Sequence, residues 1–589
     1  MKKMLVRMLA TIGAFTLLST LFAVFGLLTE GDPVSEGTVL EIDFARNIAE
    51  YAPTDGLSDL AFSRPLLTRD IVDALRQAAD DDRIGGVVAR VGSVGMGLAQ
   101  VQEVRDAVLA LRETGKVTIA HADSFGEFGS GTRAYYLASA FEKVYVQPSG
   151  DLSITGLIAE APFAREALEK LRVTPRMSAR KEYKTAVNLF TERGYTDAHR
   201  EATGRVLESQ FEQIVRGIAE ARALEPSVVR ALVDRAPIAA DGAVEAGLVD
   251  GLRYRDEVYA ELRTPDGEEA PRLRVKRYLA AVGRPDTSGE RVALIYGVGN
   301  IHRGRSGFGM LSGEPTMGAD TLAAAFRAAI DDDDVRAIVF RIDSPGGSYI
   351  ASDTIWREVG RARRHGKPVV VSMGNVAGSG GYFVAMDADR ILAQPGTITG
   401  SIGVLAGKML TAGFWERLGV NWDELHQGRN AAMWTSSRDF SGPQRAQLEG
   451  FLDRIYADFT GKVAEGRGLE TAQVHKAARG RIWTGADAKD LGLVDELGGL
   501  TRALEVVRTL LALAPDAGID LQVFPRPRRL PEILLARLMG QEDEQQVAAP
   551  ALAHVRSQLL GIPGFFSIAT ALETVGPLAM PHPVAYRRP

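Results

Sequence analysis

Ser379 stands in the run Val376-Ala377-Gly378-Ser379-Gly380-Gly381-Tyr382, after a mostly apolar stretch from Pro368 to Met373 and before a second one that opens at Tyr382. The first stretch reads as a buried strand and the second as the start of a helix. A serine at such a turn, crowded by small residues, has an exposed hydroxyl and lies beside backbone N–H groups that face whatever binds there. That is the chemistry of a nucleophile with anion-stabilising donors next to it. A serine that only caps a helix has the same local sequence, so the rest of the chain decides between the two.

A second loop, Asp343-Ser344-Pro345-Gly346-Gly347, carries further free backbone donors. Gly346 and Gly380 are expected to supply two N–H groups to a developing oxyanion, each contributing roughly 3 kcal/mol in sites of this kind. A serine hydroxyl is weak at neutral pH and needs a base. His426, in the polar stretch Leu425-His426-Gln427-Gly428, and His365, beside Arg363 and Arg364, have no recognisable carboxylate partner and read as solvated. A lysine serves instead if burial leaves its amine neutral. Lys184, within Glu182-Tyr183-Lys184-Thr185-Ala186-Val187, has aromatic and aliphatic neighbours that can desolvate it, while Lys181 and Lys408 remain alternatives.

The elements that must position these groups occur twice. Ala74 to Ile84 is answered by Ala325 to Val335, Gly115-Lys116-Val117 by Gly366-Lys367-Pro368, Tyr135 to Pro148 by Tyr382 to Pro395, and Gly247 to Asp250 by Gly492 to Asp495. Ordered matches about 250 residues apart signal an internal duplication, with one domain of similar fold in each half. Within a half, short apolar strands alternate with amphipathic helices, which predicts an α/β architecture of parallel strands and helical crossovers. The alignment sets Thr132 opposite Ser379, Arg133 opposite Gly380, and Gly92-Ser93-Val94-Gly95-Met96 opposite the Asp343 loop. The counterpart of Lys184 falls within Arg429-Asn430-Ala431, which has no lysine. The expected division is residues 1–36 for an N-terminal segment, 37–252 for a repeat carrying the base, 253–290 for a charged, Pro-containing connector, 291–510 for a repeat carrying the nucleophile, and 511–589 for a C-terminal extension.

Composition narrows the class. The net charge of −6 over 589 residues argues against nucleic acid as a main partner. The chain has no cysteine, which removes disulfides, thiolate catalysis and cysteine-ligated metal sites. Its eight histidines show no ligand spacing, so no metal site is expected. Met8 to Leu28 has no charged residue, and a helix of that length rises about 31 Å, close to the hydrocarbon thickness of a bilayer. Lys2, Lys3 and Arg7 precede it while Glu30, Asp32 and Glu36 follow. The positive-inside rule then puts the N-terminus in the cytoplasm and the remainder outside, as a single-pass anchor.

Taken as a set, Asp343-Ser344-Pro345-Gly346-Gly347, Ala377 to Tyr382, Gly400-Ser401-Ile402-Gly403-Val404, Tyr183-Lys184-Thr185-Ala186 and Trp483-Thr484-Gly485 resemble the signal peptide peptidase SppA (protease IV) family in its long duplicated form. The resemblance covers about residues 37 to 510. It implies crotonase- and ClpP-like domains, a dyad of Ser379 and Lys184, no cofactor, and a homo-oligomer around a central cavity. It also implies action on released signal peptides and other unfolded apolar segments at a bacterial inner membrane, with the catalytic bulk on the periplasmic or external side. Gly378 stands where some relatives carry alanine, and Asn188 where a glutamate is expected. Two other readings use the same glycine loops: a crotonase-type enzyme acting on acyl-thioesters, and a catalytically silent membrane scaffold.

Overall fold

The computed structural model describes residues 34–52, 65–308 and 314–525. In the N-terminal half, Thr38–Asp43 (β1), Ile84–Arg90 (β2), Val117–Ala122 (β3) and Lys143–Val146 (β4) pair in parallel. Thr174–Arg180 (β5) lies outside this sheet. Gly251–Leu252 (β6) extends it past β4, and Arg272–Arg274 (β7) edges it beside β1. The strand order is therefore β6-β4-β3-β2-β1-β7.

The C-terminal half repeats the plan with Glu290–Val298 (β8), Val335–Ser344 (β9), Val369–Gly378 (β10) and Arg390–Ala393 (β11). Ile398–Gly400 (β12), Val404–Leu410 (β13), Ile482–Thr484 (β14), Glu496–Leu497 (β15) and Ile519–Phe524 (β16) follow. The sheet runs β14-β12-β10-β9-β8-β16, with β11 also against β10 and β15 against β11. Only the β12–β14 pair in it is antiparallel.

Crossover helices cover the sheets. They include Thr68–Asp80 (α1), Leu98–Glu113 (α2), Thr132–Ala138 (α3) and Asp197–Arg222 (α4) in the first half. Their counterparts are Ala319–Asp331 (α5), Tyr349–Arg364 (α6), Gly380–Phe383 (α7) and Gly442–Arg467 (α8), followed by Leu500–Leu510 (α9). In α5 the buried residues Leu322, Ala325, Phe326, Ala329 and Ile330 recur at helical spacing and form one apolar stripe. In β10, Val369, Val371 and Met373 enter one core while Val370 enters another beneath α9. A parallel strand covered on both faces needs such an unbroken apolar run.

The duplication extends to buried polar contacts. Tyr135 donates to the Leu248 carbonyl and Tyr382 to that of Leu493. Asp250 accepts from Val144 N and Asp495 from Ile391 N, both at 2.7 Å. Lys116 reaches the Asp81 carbonyl and Lys367 that of Asp332. The same side chains thus close the same turns in both halves.

The stretch 253–290 differs from a simple connector. It contains Arg255–Glu261 and Val275–Val282 as helices, and β7 completes the first sheet. The second half has the matching edge strand in β16, inside the stretch expected as an extension. Both strands are short and sit among charged or proline-containing residues, so their apolar signal is weak, and pairing at a sheet edge is what orders them. Residues 526–589 and the span Met8 to Leu28 lie outside the described residues. Among the described residues no helix is long and apolar enough to cross a membrane.

Several contacts join the halves, among them a strand pair, helix α2 and helix α4, whose Ser209 and Gln213 meet Thr484 and the Pro395 carbonyl. β5 pairs antiparallel with β13 from Thr174–Leu410 to Arg180–Val404. Helix α2 turns a polar edge on the second half, where Glu103 pairs with Arg341, Gln102 accepts from Gly396 N, and Asp106 accepts from Gln394. Arg341 is 2% exposed and also pairs with Glu50. An ion triad this deep holds because each charge is matched; removing the arginine alone would strand two buried carboxylates, at a cost of about 3–5 kcal/mol.

Candidate active site

Ser379 terminates β10 and caps α7, with φ 54° and ψ −116°. A side chain at positive φ outside the usual left-handed basin carries strain of about 1–3 kcal/mol. The turn is held by Ser379 N donating to the Gly400 carbonyl at 2.8 Å, and by Tyr382 and Phe383 N donating to the Ser379 carbonyl. Small residues are required where two loops abut. A Cβ on Gly380 would lie 2.6 Å from Ser352 Oγ, and one on Gly381 2.5 Å from the Ser344 carbonyl. At Gly378 the nearest atom would be 3.8 Å away, so alanine fits there without adjustment.

Lys184 is brought in by the β5–β13 pair, which ends four residues before it on one strand and begins three residues after Ser401 on the other. Its Nζ lies 2.9 Å from Ser379 Oγ, 2.9 Å from Ser401 Oγ and 2.9 Å from the Ser401 carbonyl. A neutral amine has two N–H donors and one lone pair. Donation to the two Ser401 oxygens leaves the lone pair for the Ser379 hydroxyl. The residue is 6% exposed, and burial alone lowers its pKa from 10.5 to about 7. Gly480, at φ 83°, backs the lysine so closely that a Cβ would collide with its main chain.

The alternative bases are elsewhere. Lys181 is exposed, with its Nζ 6.0 Å from the Tyr456 ring. Lys408 is buried but donates to the Met433 and Arg438 carbonyls and sits over Phe440. His365 meets the Arg361 carbonyl, and His426 lies 3.9 Å from Glu424 on an exposed stretch.

The Gly346 loop packs directly on the serine turn, since a Cβ on Gly346 would come within 2.5 Å of Gly380 N. The Gly346 N–H itself donates to Ser344 Oγ at 3.2 Å. The N–H groups of Gly347 and Gly380 have no partner among the described residues. Of the two glycines expected as donors, Gly380 is therefore available, while Gly346 is engaged and its neighbour Gly347 is not. Ser401 was legible only as part of a motif. Its contact with the lysine depends on a positive φ of 52° that its residue type does not announce.

Comparison with known proteins adds an independent line. The description of peptidase family S49 matches residues 111–267 and 361–514, one stretch in each half. The chain is 30% identical over 516 residues to the chloroplastic serine protease SPPA of Arabidopsis thaliana, covering 85% of this chain and 73% of that protein. It is 30% identical over 487 residues to Protease 4 of Haemophilus influenzae, covering 79% and 77%. Protease 4 of Salmonella typhi is 30% identical over 459 residues, covering 75% and 72%.

Proposed function

The chain belongs to peptidase family S49 and is a serine protease, and on that premise we propose that Ser379 is its nucleophile and Lys184 its general base. The observation that carries this reading is the 2.9 Å approach of a buried, dehydrated lysine amine to a strained serine hydroxyl. Lys184 Nζ takes the Ser379 proton as Oγ attacks the scissile carbonyl carbon. The carbonyl oxygen becomes an oxyanion facing the N–H of Gly380 and the Gly346–Gly347 loop. The lysine ammonium then protonates the leaving amine as the C–N bond breaks. Water, deprotonated by the same lysine, hydrolyses the acyl-serine and restores both groups. Ser401 holds the amine in place throughout.

In this reading the halves are crotonase- and ClpP-like domains, residues 37–252 contributing the base and 291–510 the nucleophile. Substrates are released signal peptides and other unfolded apolar segments, a class that rests on the family resemblance. Met8 to Leu28 anchors the chain in a bacterial inner membrane with the protease outside; flotation of the full chain with lipid vesicles, lost on deleting residues 1–30, tests this. Copies associate through residues 418–428, which include exposed Leu418, Val420, Trp422 and Leu425 and which the duplication sets opposite β5. Sedimentation of Trp422→Asp protein as smaller species than the parent is the expected result.

A fluorophosphonate followed by peptide mapping tests the nucleophile. Label on Ser379 that is lost in Ser379→Ala and slowed in Lys184→Ala is expected; label on another serine, with hydrolysis intact in Ser379→Ala, would overturn the assignment.

A further inference from the structure

β10 changes neighbour on its way to Ser379. Val370 to Met373 pair with β11, whereas Val376 to Gly378 pair with β12. Between them the register with β9 jumps from Ile342–Met373 to Ser344–Ala377, so Gly374, Asn375 and Val376 oppose Asp343 alone. This bulge aims the last three residues of the strand, and hence the serine turn, at β12 and Ser401.

The bulge is gripped from two sides. Asp343 accepts from Val376 N at 2.9 Å within its own half. The other grip comes from the N-terminal half. The Asn375 amide donates to Gln100 Oε1 at 2.7 Å and accepts from Gln100 N at 3.2 Å, a two-point contact across the seam. Gln100, on the first turn of α2 and 5% exposed, is itself fixed by donating to Thr68 Oγ1 and to Glu50. Glu50 in turn pairs with Arg341, two residues before Asp343 on β9. The chain of contacts closes on itself, and Gly97 leaves room for it, since a Cβ there would collide with the Asn375 amide.

We infer that Gln100, acting through Asn375, is a positioning residue for the nucleophile, so that the N-terminal half sets the aim of Ser379 as well as supplying Lys184. The inference rests on Ser379 being the nucleophile. Neither residue touches the reacting atoms, so binding of an extended substrate is left alone while the angle of attack is lost.

The full chain is assayed on a chromogenic apolar peptide. Asn375→Ala and Gln100→Ala should each lower kcat about 10- to 100-fold, the scale of an ångström of misplacement, with KM within about twofold. Because the two residues act through one contact, the double variant should be no slower than the slower single one. Asn375→Asp, which keeps the acceptor for Gln100 N but cannot donate to Gln100 Oε1, should fold like the parent and show a smaller kcat loss. Unchanged kcat in the variants, losses that multiply in the double variant, or a rise in KM at constant kcat would overturn the inference. Fluorophosphonate labelling of the unsubstituted chain separates the two levels. Absence of label on Ser379 overturns the nucleophile and the positioning role of Gln100 together, whereas normal label with unimpaired variants removes the positioning role alone.

Discussion

The two halves share strand order, crossover helices and buried polar contacts, yet they use the same turn in opposite ways. Thr132, at the position of Ser379, is 1% exposed, and its hydroxyl accepts from Gly156 N at 3.0 Å and from Ser130 Oγ at 3.1 Å. Arg133, at the position of Gly380, sends its guanidinium to the Met96 carbonyl across the loop that corresponds to Gly346–Gly347. The first half therefore consumes its hydroxyl and bridges its donor loop with a side chain. The second holds its hydroxyl on a strained turn, 2.9 Å from a lysine amine. Fold is common to both, and the proposed chemistry lies in a few residues at one turn.

Exchanging alanine at the two matched positions is the severest test of that contrast. Ser379→Ala should lower hydrolysis of an unfolded apolar substrate by at least about ten-thousand-fold, the scale for losing a serine nucleophile. Thr132→Ala should leave kcat within about twofold and cost roughly 1 kcal/mol of stability from a lost buried hydrogen bond. Steady-state rates and thermal melts of both variants read this out; equal inactivation by Thr132→Ala without unfolding would mean the first turn is not silent.

A second contrast sets two buried lysines against each other. Lys184→Arg and Lys184→Met should each lower kcat about a thousandfold or more, since arginine keeps its proton and methionine has none to exchange. Lys408→Met should retain kcat but melt lower, because it strands the Met433 and Arg438 carbonyls. Lys184→Met also strands the Ser401 carbonyl, but it should gain stability on the parent as the pH falls. The folded pKa of about 7 lies below the ordinary 10.5, so burial of the charged form opposes folding. That cost is full below about pH 7, shrinks between pH 7 and 10.5, and is absent above. At about 1.4 kcal/mol per pH unit it is of the order of 5 kcal/mol. A stability difference between Lys184→Met and the parent that is the same at pH 6 and at pH 10.5 would contradict the desolvated-base reading.

The mildest effect is one of pH. With the neutral amine as the proposed active form, kcat/KM should climb with unit slope in acid and level off above a midpoint near pH 7. Asp343 is also pushed up to about 7, by burial and then by the charge of Glu50. Asp343→Asn keeps the acceptor for Val376 N, so its profile should have the same midpoint. If the midpoint disappears in Asp343→Asn, the titration belongs to the carboxyl and not to Lys184.

Local pattern alone determined much of this protein. The duplication, the α/β alternation and the serine turn are written in residue spacing, because strands and helices impose their periods on short stretches of chain. The availability of Lys184 as a partner was equally visible, but not its priority over Lys181 and Lys408. That priority comes from desolvation and from a contact spanning 195 residues, and neither is set until β5 finds β13. The same holds for Ser401, for the engaged N–H of Gly346, for the folded character of 253–290 and for the grip of Gln100 on Asn375. Each depends on a backbone angle or a neighbour supplied by a distant segment, and a residue's own type carries no record of which distant segment will pack beside it.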